Sequence, residues 1–232
     1  MQPRLAATDL ACRRGERLLF SGLPLALGPG EALQVSGPNG IGKSSLIRIL
    51  AGLLRPFAGA VEREGAVGLL DERPALDGAV ALGVALRFYH DIDHADQALD
   101  RVGLHRLDDV PVRYLSTGQT KRAALARLIG QRASIWLLDE PLNGLDSGGV
   151  ALVEELLAEH LAGGGLAVIA SHHPLAGGAR ELALTDFATS SPSRCPFGTA
   201  SLPGEGVEGR GLSESGGADV LHPNPSPEGE RL

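Results

Sequence analysis

Apolar residues fall into two kinds of run along this chain. Residues 31–36 (EALQVS) form a short apolar run that ends at a glycine, and residues 44–54 (SSLIRILAGLL) follow with apolar positions at helical spacing. That predicts a strand, a glycine-rich turn and a helix. Two further uninterrupted apolar runs, residues 135–138 (IWLL) and 166–170 (LAVIA), end in Asp139–Glu140 and Ser171–His172. Unbroken apolar strands separated by helical patterns predict an α/β fold with a mostly parallel sheet covered on both faces. Functional groups in such a sheet gather at the carboxyl ends of the strands. Between residues 74 and 131 strand signals fade, and residues 80–89, 95–102 and 121–129 carry helical spacing. An inserted helical subdomain is expected there.

Composition changes this picture at the carboxyl end. From Thr189 on, 21 of the last 44 residues are Gly, Pro or Ser, and Phe197 is the only aromatic. Such a segment buries too little apolar surface to offset its ordering entropy, so residues 1–188 are expected to form the domain and residues 189–232 a disordered tail. Two cysteines, Cys12 and Cys195, make no disulfide framework and fit a reducing compartment. Neither an apolar leader segment nor a run of about 18 apolar residues is present, so any membrane role is expected to be peripheral. A net charge of −7 without a basic stripe makes nucleic acid an unexpected partner.

The chemistry begins at Gly37, Pro38, Asn39, Gly40, Ile41, Gly42, Lys43 and Ser44, which spell G-x-x-x-x-G-K-S between the first strand and its helix. The glycines let backbone N–H groups turn inward around a β-phosphate, and the helix start adds positive dipole. Lys43 brings a point charge to the β/γ oxygens, Ser44 offers its hydroxyl to Mg²⁺, and Ser45 completes the binding turn. About 95 residues further on, the apolar strand ending in Asp139 and Glu140 supplies two acids. Asp139 is the candidate to hold the metal through a water, and Glu140 to polarise the attacking water.

Leu115-Ser116-Thr117-Gly118-Gln119, lying 24 residues before Asp139, resembles the LSGGQ signature of ABC ATPases. Ser116 caps the helix that follows, and its hydroxyl with the free N–H groups makes a second anion site. The resemblance implies a P-loop fold with a parallel core, an amino-terminal antiparallel β portion and the helical insertion. It also implies ATP and Mg²⁺ as cofactors, and a second copy of the chain whose signature faces the γ-phosphate. Residues 142–146 (LNGLD) resemble the D-loop, making Asp146 an intersubunit contact. Ser171-His172-His173 resembles the H-switch, with His172 as the γ-phosphate sensor.

Three departures stand out. Where the family has a Q-loop glutamine, this chain has Arg73; the role is lost, or Asp71 or Glu72 takes it. No aromatic stands in residues 11–15, where the family stacks one on adenine, and Arg13 is expected to stack its guanidinium there. Thr117 replaces a glycine and adds bulk. His90 and His94, four apart among aspartates, read as a solvated face rather than a metal site.

Within the ABC ATPases, residues 18–25 (LLFSGLPL), 86–89 (LRFY) and 182–187 (LALTDF) look most like the ATP-binding subunit of the haem exporter of bacterial cytochrome c maturation. That likeness implies integral-membrane permease subunits as partners, release of a haem-loaded chaperone, and a peripheral place on the cytoplasmic face of the inner membrane. An unrelated small-molecule or lipid exporter, and a soluble ABC protein acting on ribosomes or DNA, are the alternatives.

Overall fold

In chain order the strands are β1 (Arg4–Arg14), β2 (Arg17–Leu27), β3 (Ala32–Ser36), β4 (Ala58–Glu64), β5 (Val67–Leu70), β6 (Ile135–Asp139), β7 (Leu166–Ala170) and β8 (Arg180–Ala183). The helices are α1 (Lys43–Leu50), α2 (Leu82–Asp93), α3 (Ala98–Arg101), α4 (Thr117–Gly130) and α5 (Ser147–Ala162). The computed structural model describes residues 2–71, 75–93, 98–173 and 179–189, the side chains of 88–93 excepted. Arg73 and Glu72, the His90/His94 pair and the expected tail beyond Thr189 lie outside the described residues or side chains.

Two sheets form the body. The amino-terminal hairpin β1–β2 is joined on its other edge by β4, all antiparallel. The second sheet runs β5-β6-β7-β3-β8, and every neighbouring pair is parallel. Its unbroken apolar strands have a simple cause, because alternate residues of each strand point into different cores. Leu33, Val35, Ile135, Leu137, Leu166 and Val168 join α1 and the hairpin in one cluster, whereas Trp136, Leu138, Ala167 and Ile169 join α4 and α5 in the other. A polar residue at any of these positions would lose its water on either face, and truncating Leu137 or Val168 would open a cavity costing about 2–5 kcal/mol.

Local signals set the element ends. The helix expected over residues 44–54 stops at Leu50, because Gly52 turns left-handed at φ +80° and its N–H bonds to the Ile49 carbonyl. Helix α4 starts at Thr117, four residues before the apolar spacing does, because Ser116 caps it. The segment expected to be a helical insertion holds α2, α3 and α4, with α2 and α3 packed on α4. A bridge between Ala81 and Pro111 is its only strand-like pairing among the described residues.

The order of the parallel sheet decides where the site lies. β7 sits between β6 and β3. The carboxyl ends of these three strands, carrying the glycine loop, the Asp139–Glu140 pair and Ser171–His172, are therefore neighbours.

Candidate functional site

Residues 37–42 climb from the end of β3 into α1. Gly42 stands at φ +122°, a backbone angle that favours glycine, and a Cβ there would crowd the Phe20 ring at 3.1 Å. Ile41 is buried in the core and ties down the loop from within, whereas Pro38, Asn39 and Gly40 are exposed. Helix α1 has no side-chain cap and no acid in its first turn. Its first N–H groups, on Lys43, Ser44 and Ser45, are consequently open to an anion.

Lys43 is 6% exposed and its Nζ donates to the Gly37 carbonyl at 2.8 Å, which folds the side chain back over the loop. The same ammonium lies 3.7 Å from Glu140 Oε1 and 2.9 Å from His172 Nε2. His172 Nε2 is also 2.6 Å from Asn39 Oδ1 and 3.3 Å from Glu140 Oε1. One imidazole nitrogen cannot accept from Lys43 and donate to Asn39 together. The cluster is over-subscribed around a single point, an arrangement that an inserted anion would relieve by giving Lys43 and His172 separate acceptors.

Asp139, at the end of β6, is 2% exposed. Burial pushes its carboxyl above the ordinary value; the Ser44 hydroxyl hydrogen bond opposes this, and the nearby Asp71 and Glu140 charges add to it. Its Oδ1 and Glu140 Oε2 are buried without a hydrogen-bond partner. An orphaned carboxylate oxygen on Asp139, whose carboxyl is hydrogen-bonded by the Ser44 hydroxyl, gives two hard oxygen donors of the kind a divalent cation takes, so Ser44 and Asp139 fit Mg²⁺. Asp71 is drawn away toward α1 by Arg48 at 3.1 Å.

Glu140 adopts φ +48°, a left-handed conformation that costs a non-glycine residue about 1–2 kcal/mol. Two bonds hold it there: its N–H donates to the Ala170 carbonyl at 2.8 Å, and its carbonyl accepts from Lys121 Nζ at 3.0 Å. Lys121 belongs to α4 and is 5% exposed. The helix that carries the signature thus grips the backbone of the second acid.

The signature itself lies elsewhere. A cavity of about 640 Å³ is lined by Asn39, Gly40, Gly42, Lys43, Ser44, Ser45, Glu140, Asn143 and His172, together with Arg14, Arg17 and Leu19. Ser116, Thr117, Gly118, Gln119 and Asp146 do not line it. Ser116 Oγ accepts the Gln119 N–H at 3.2 Å, and Gln119 Oε1 accepts the Ser116 N–H at 2.9 Å, closing a capping box. The bulk of Thr117 is absorbed within the chain: its Cγ2 would be 2.9 Å from any Cβ on residue 144, and that residue is glycine. Asp146 caps α5 through the Gly149 N–H and pairs with Arg122 of α4 at 2.7 Å, so its carboxyl is held below the ordinary value by the Gly149 bond first and Arg122 second.

Sequence reading missed Lys121, Arg14 and Arg17. A charged residue on the buried face of a helix was the available signal for Lys121. For Arg14 and Arg17 the signal was their symmetric place about Gly15–Glu16, visible only once the hairpin is known. The expectation for Arg13 fails: its guanidinium lies over the Phe57 ring, 4.5 Å from the centroid, and Arg13 does not line the cavity.

The pattern of the ABC transporter family matches residues 20–143. A cytochrome c biogenesis ATP-binding export protein CcmA of Novosphingobium aromaticivorans is 59% identical over 184 residues, covering 79% of this chain and 96% of that protein. The protein of the same name from Sphingopyxis alaskensis is 52% identical, covering 74% of this chain and 91% of that one. Among solved structures, cbiO1 from Clostridium perfringens, part of the ABC transporter complex cbiONQ, superposes with a TM-score of 0.61 at 27% identity, over 73% of this chain and 78% of that one. No described helix is long and apolar enough to cross a membrane.

Proposed function

Because the chain belongs to the ABC transporter ATPases and, within them, to the cytochrome c biogenesis ATP-binding export proteins, we propose that it hydrolyses ATP as a head-to-tail pair to drive the membrane complex of cytochrome c maturation. Integral-membrane permease subunits are its partners, at the cytoplasmic face of the inner membrane, and the work done is release of a haem-loaded chaperone. The observation that carries the ATPase reading is the convergence of Lys43, Glu140 and His172 at adjacent strand ends, under the uncapped start of α1.

Each group has a role that follows from its place. The open N–H groups of α1 and the Lys43 ammonium bind the triphosphate and neutralise charge that builds on the γ-phosphoryl group. Glu140 orients the attacking water and takes up its proton; His172 contacts the γ-phosphate and releases Asn39 and Lys43 to do the same. Ser44 and Asp139 would hold Mg²⁺, which would supply positive charge at the triphosphate. Ser116 and the N–H groups of Thr117 and Gly118 reach the γ-phosphate bound by the other copy, and Asp146 lies at the seam. This division explains why the two groups of site residues occupy separate surfaces of one chain.

The test is a haem stain of membrane c-type cytochromes from the native organism with this gene deleted, then supplied with wild type or Lys43→Ala. Loss of the covalent haem signal, restored by wild type alone, supports the reading. An unchanged stain removes the cytochrome c role and leaves an ABC ATPase of another export complex.

A further inference from the structure

Four polar or charged residues are buried among the described ones: Lys43, Lys121, Asp139 and Ser171. Lys43 and Asp139 stand in the nucleotide site, and the Ser171 hydroxyl bonds to the His173 backbone beside His172. Lys121 lies one turn inside α4, a helix whose other buried residues are alanine, leucine and glycine. An ammonium in such surroundings costs stability unless its protons are bonded. Methionine or leucine would fill the same space without that cost. What the lysine adds is a donor, and its Nζ gives one to the Glu140 carbonyl at 3.0 Å.

Glu140 needs that donor more than an ordinary loop residue does. It stands at φ +48°, and a non-glycine residue released from such a conformation falls back to negative φ. That swing would carry its Cα–Cβ bond, and with it the carboxylate, off the line to Lys43 at 3.7 Å and His172 at 3.3 Å. On its amino side the residue is pinned by the Ala170 carbonyl at 2.8 Å. On its carbonyl side the turn itself offers the Asn143 N–H at the longer distance of 3.4 Å, so the closer bond is the one from Lys121. Resting on the ATP-site reading above, we propose that Lys121 is a positioning residue for hydrolysis: its ammonium holds the Glu140 backbone left-handed and thereby aims the carboxylate that orients the attacking water. Lys121 does not line the cavity, so its effect on the reaction passes through Glu140.

Phosphate release and equilibrium ATP binding by the full chain, with Mg²⁺, test this. Lys121→Met keeps an unbranched apolar stem and removes the donor; kcat falls by about tenfold or more, as loss of reacting geometry does, while ATP affinity stays within about twofold of wild type. Lys121→Gln keeps an N–H donor without the charge and returns kcat to within about threefold of wild type. In a Glu140→Gln chain the Lys121→Met substitution changes the residual turnover by less than about twofold, because a residue that acts through Glu140 has nothing left to aim. Equal losses in the two backgrounds, a loss of ATP affinity that tracks the loss of kcat, or equal losses in Lys121→Met and Lys121→Gln would mark a merely structural lysine and overturn the proposal, as would wild-type kcat in Lys121→Met. Wild-type turnover in Glu140→Gln alone, or no ATP binding by the unaltered chain, overturns instead the site reading beneath.

Discussion

The chain starts two helices at sequences built for anions, and it finishes them differently. At α1, Gly42 supplies no side chain, no acid follows in the first turn, and the N–H groups of Lys43, Ser44 and Ser45 stay open beneath a buried ammonium. At α4, Ser116 and Gln119 satisfy each other in a capping box, leaving the Ser116 hydroxyl hydrogen and the Thr117 and Gly118 N–H groups for anything arriving from outside. The first is a complete receptor within one chain. The second is a stable surface that acquires a ligand only when another molecule presents one. An uncapped helix start forgoes about 1 kcal/mol of stability, a cost that persists where binding repays it and is avoided where the partner is intermittent.

Removing the receptor half should have the largest effect. Lys43→Ala is expected to lower both ATP affinity and turnover by about a hundredfold or more, as loss of a preorganised charge at a phosphoryl group does; equilibrium binding and phosphate release measure the two. Blocking the surface half sharpens the contrast. Ser116→Arg should cut turnover by about a hundredfold while leaving ATP affinity of the single chain within about threefold of wild type. Parallel losses of affinity in both variants would erase the distinction drawn between α1 and α4.

A smaller effect isolates the capping box. Gln119→Ala removes one of its two bonds and should lower stability by about 0.5–1 kcal/mol in a denaturant titration, without touching the α1 site. The smallest effect concerns the tie between α4 and α5. The Asp146 carboxyl is held below its ordinary value by Gly149 and Arg122. Its folded form therefore binds fewer protons than its unfolded form, so its contribution is present above about pH 4 and drains as pH falls through the depressed value. Asp146→Ala should flatten the acid limb of melting temperature against pH; an unaltered limb would show that the tie contributes nothing to stability.

Legibility from sequence followed the same division. The strands β6 and β7 were readable because both faces are covered, leaving no polar position within them before their carboxyl ends, whereas β3, interrupted by the half-buried Gln34, was readable with the glycine motif that follows it. β4 was not: in AGAVERE only Val61 is even half-buried, so an edge strand leaves no alternation to read. The short strands β5 and β8 carry four residues each, too few to show a period. Lys43, Asp139, Glu140 and His172 could be assembled from order along the chain, and the sheet order brings them together. Contacts between elements remote in sequence could not be anticipated, since nothing local marks Lys121 as the partner of the Glu140 carbonyl or Arg13 as the partner of the Phe57 ring.

The central claim is that ATP joins the receptor of one copy to the surface of another, and the Glu140→Gln chain tests it most directly. Its carboxamide keeps the shape of the site while losing the base, so bound ATP should persist. Light scattering with saturating ATP and Mg²⁺ should show the mass doubling from 24.0 kDa and returning when the nucleotide is removed. A Glu140→Gln chain that binds ATP and remains at the mass of a single copy would contradict the account.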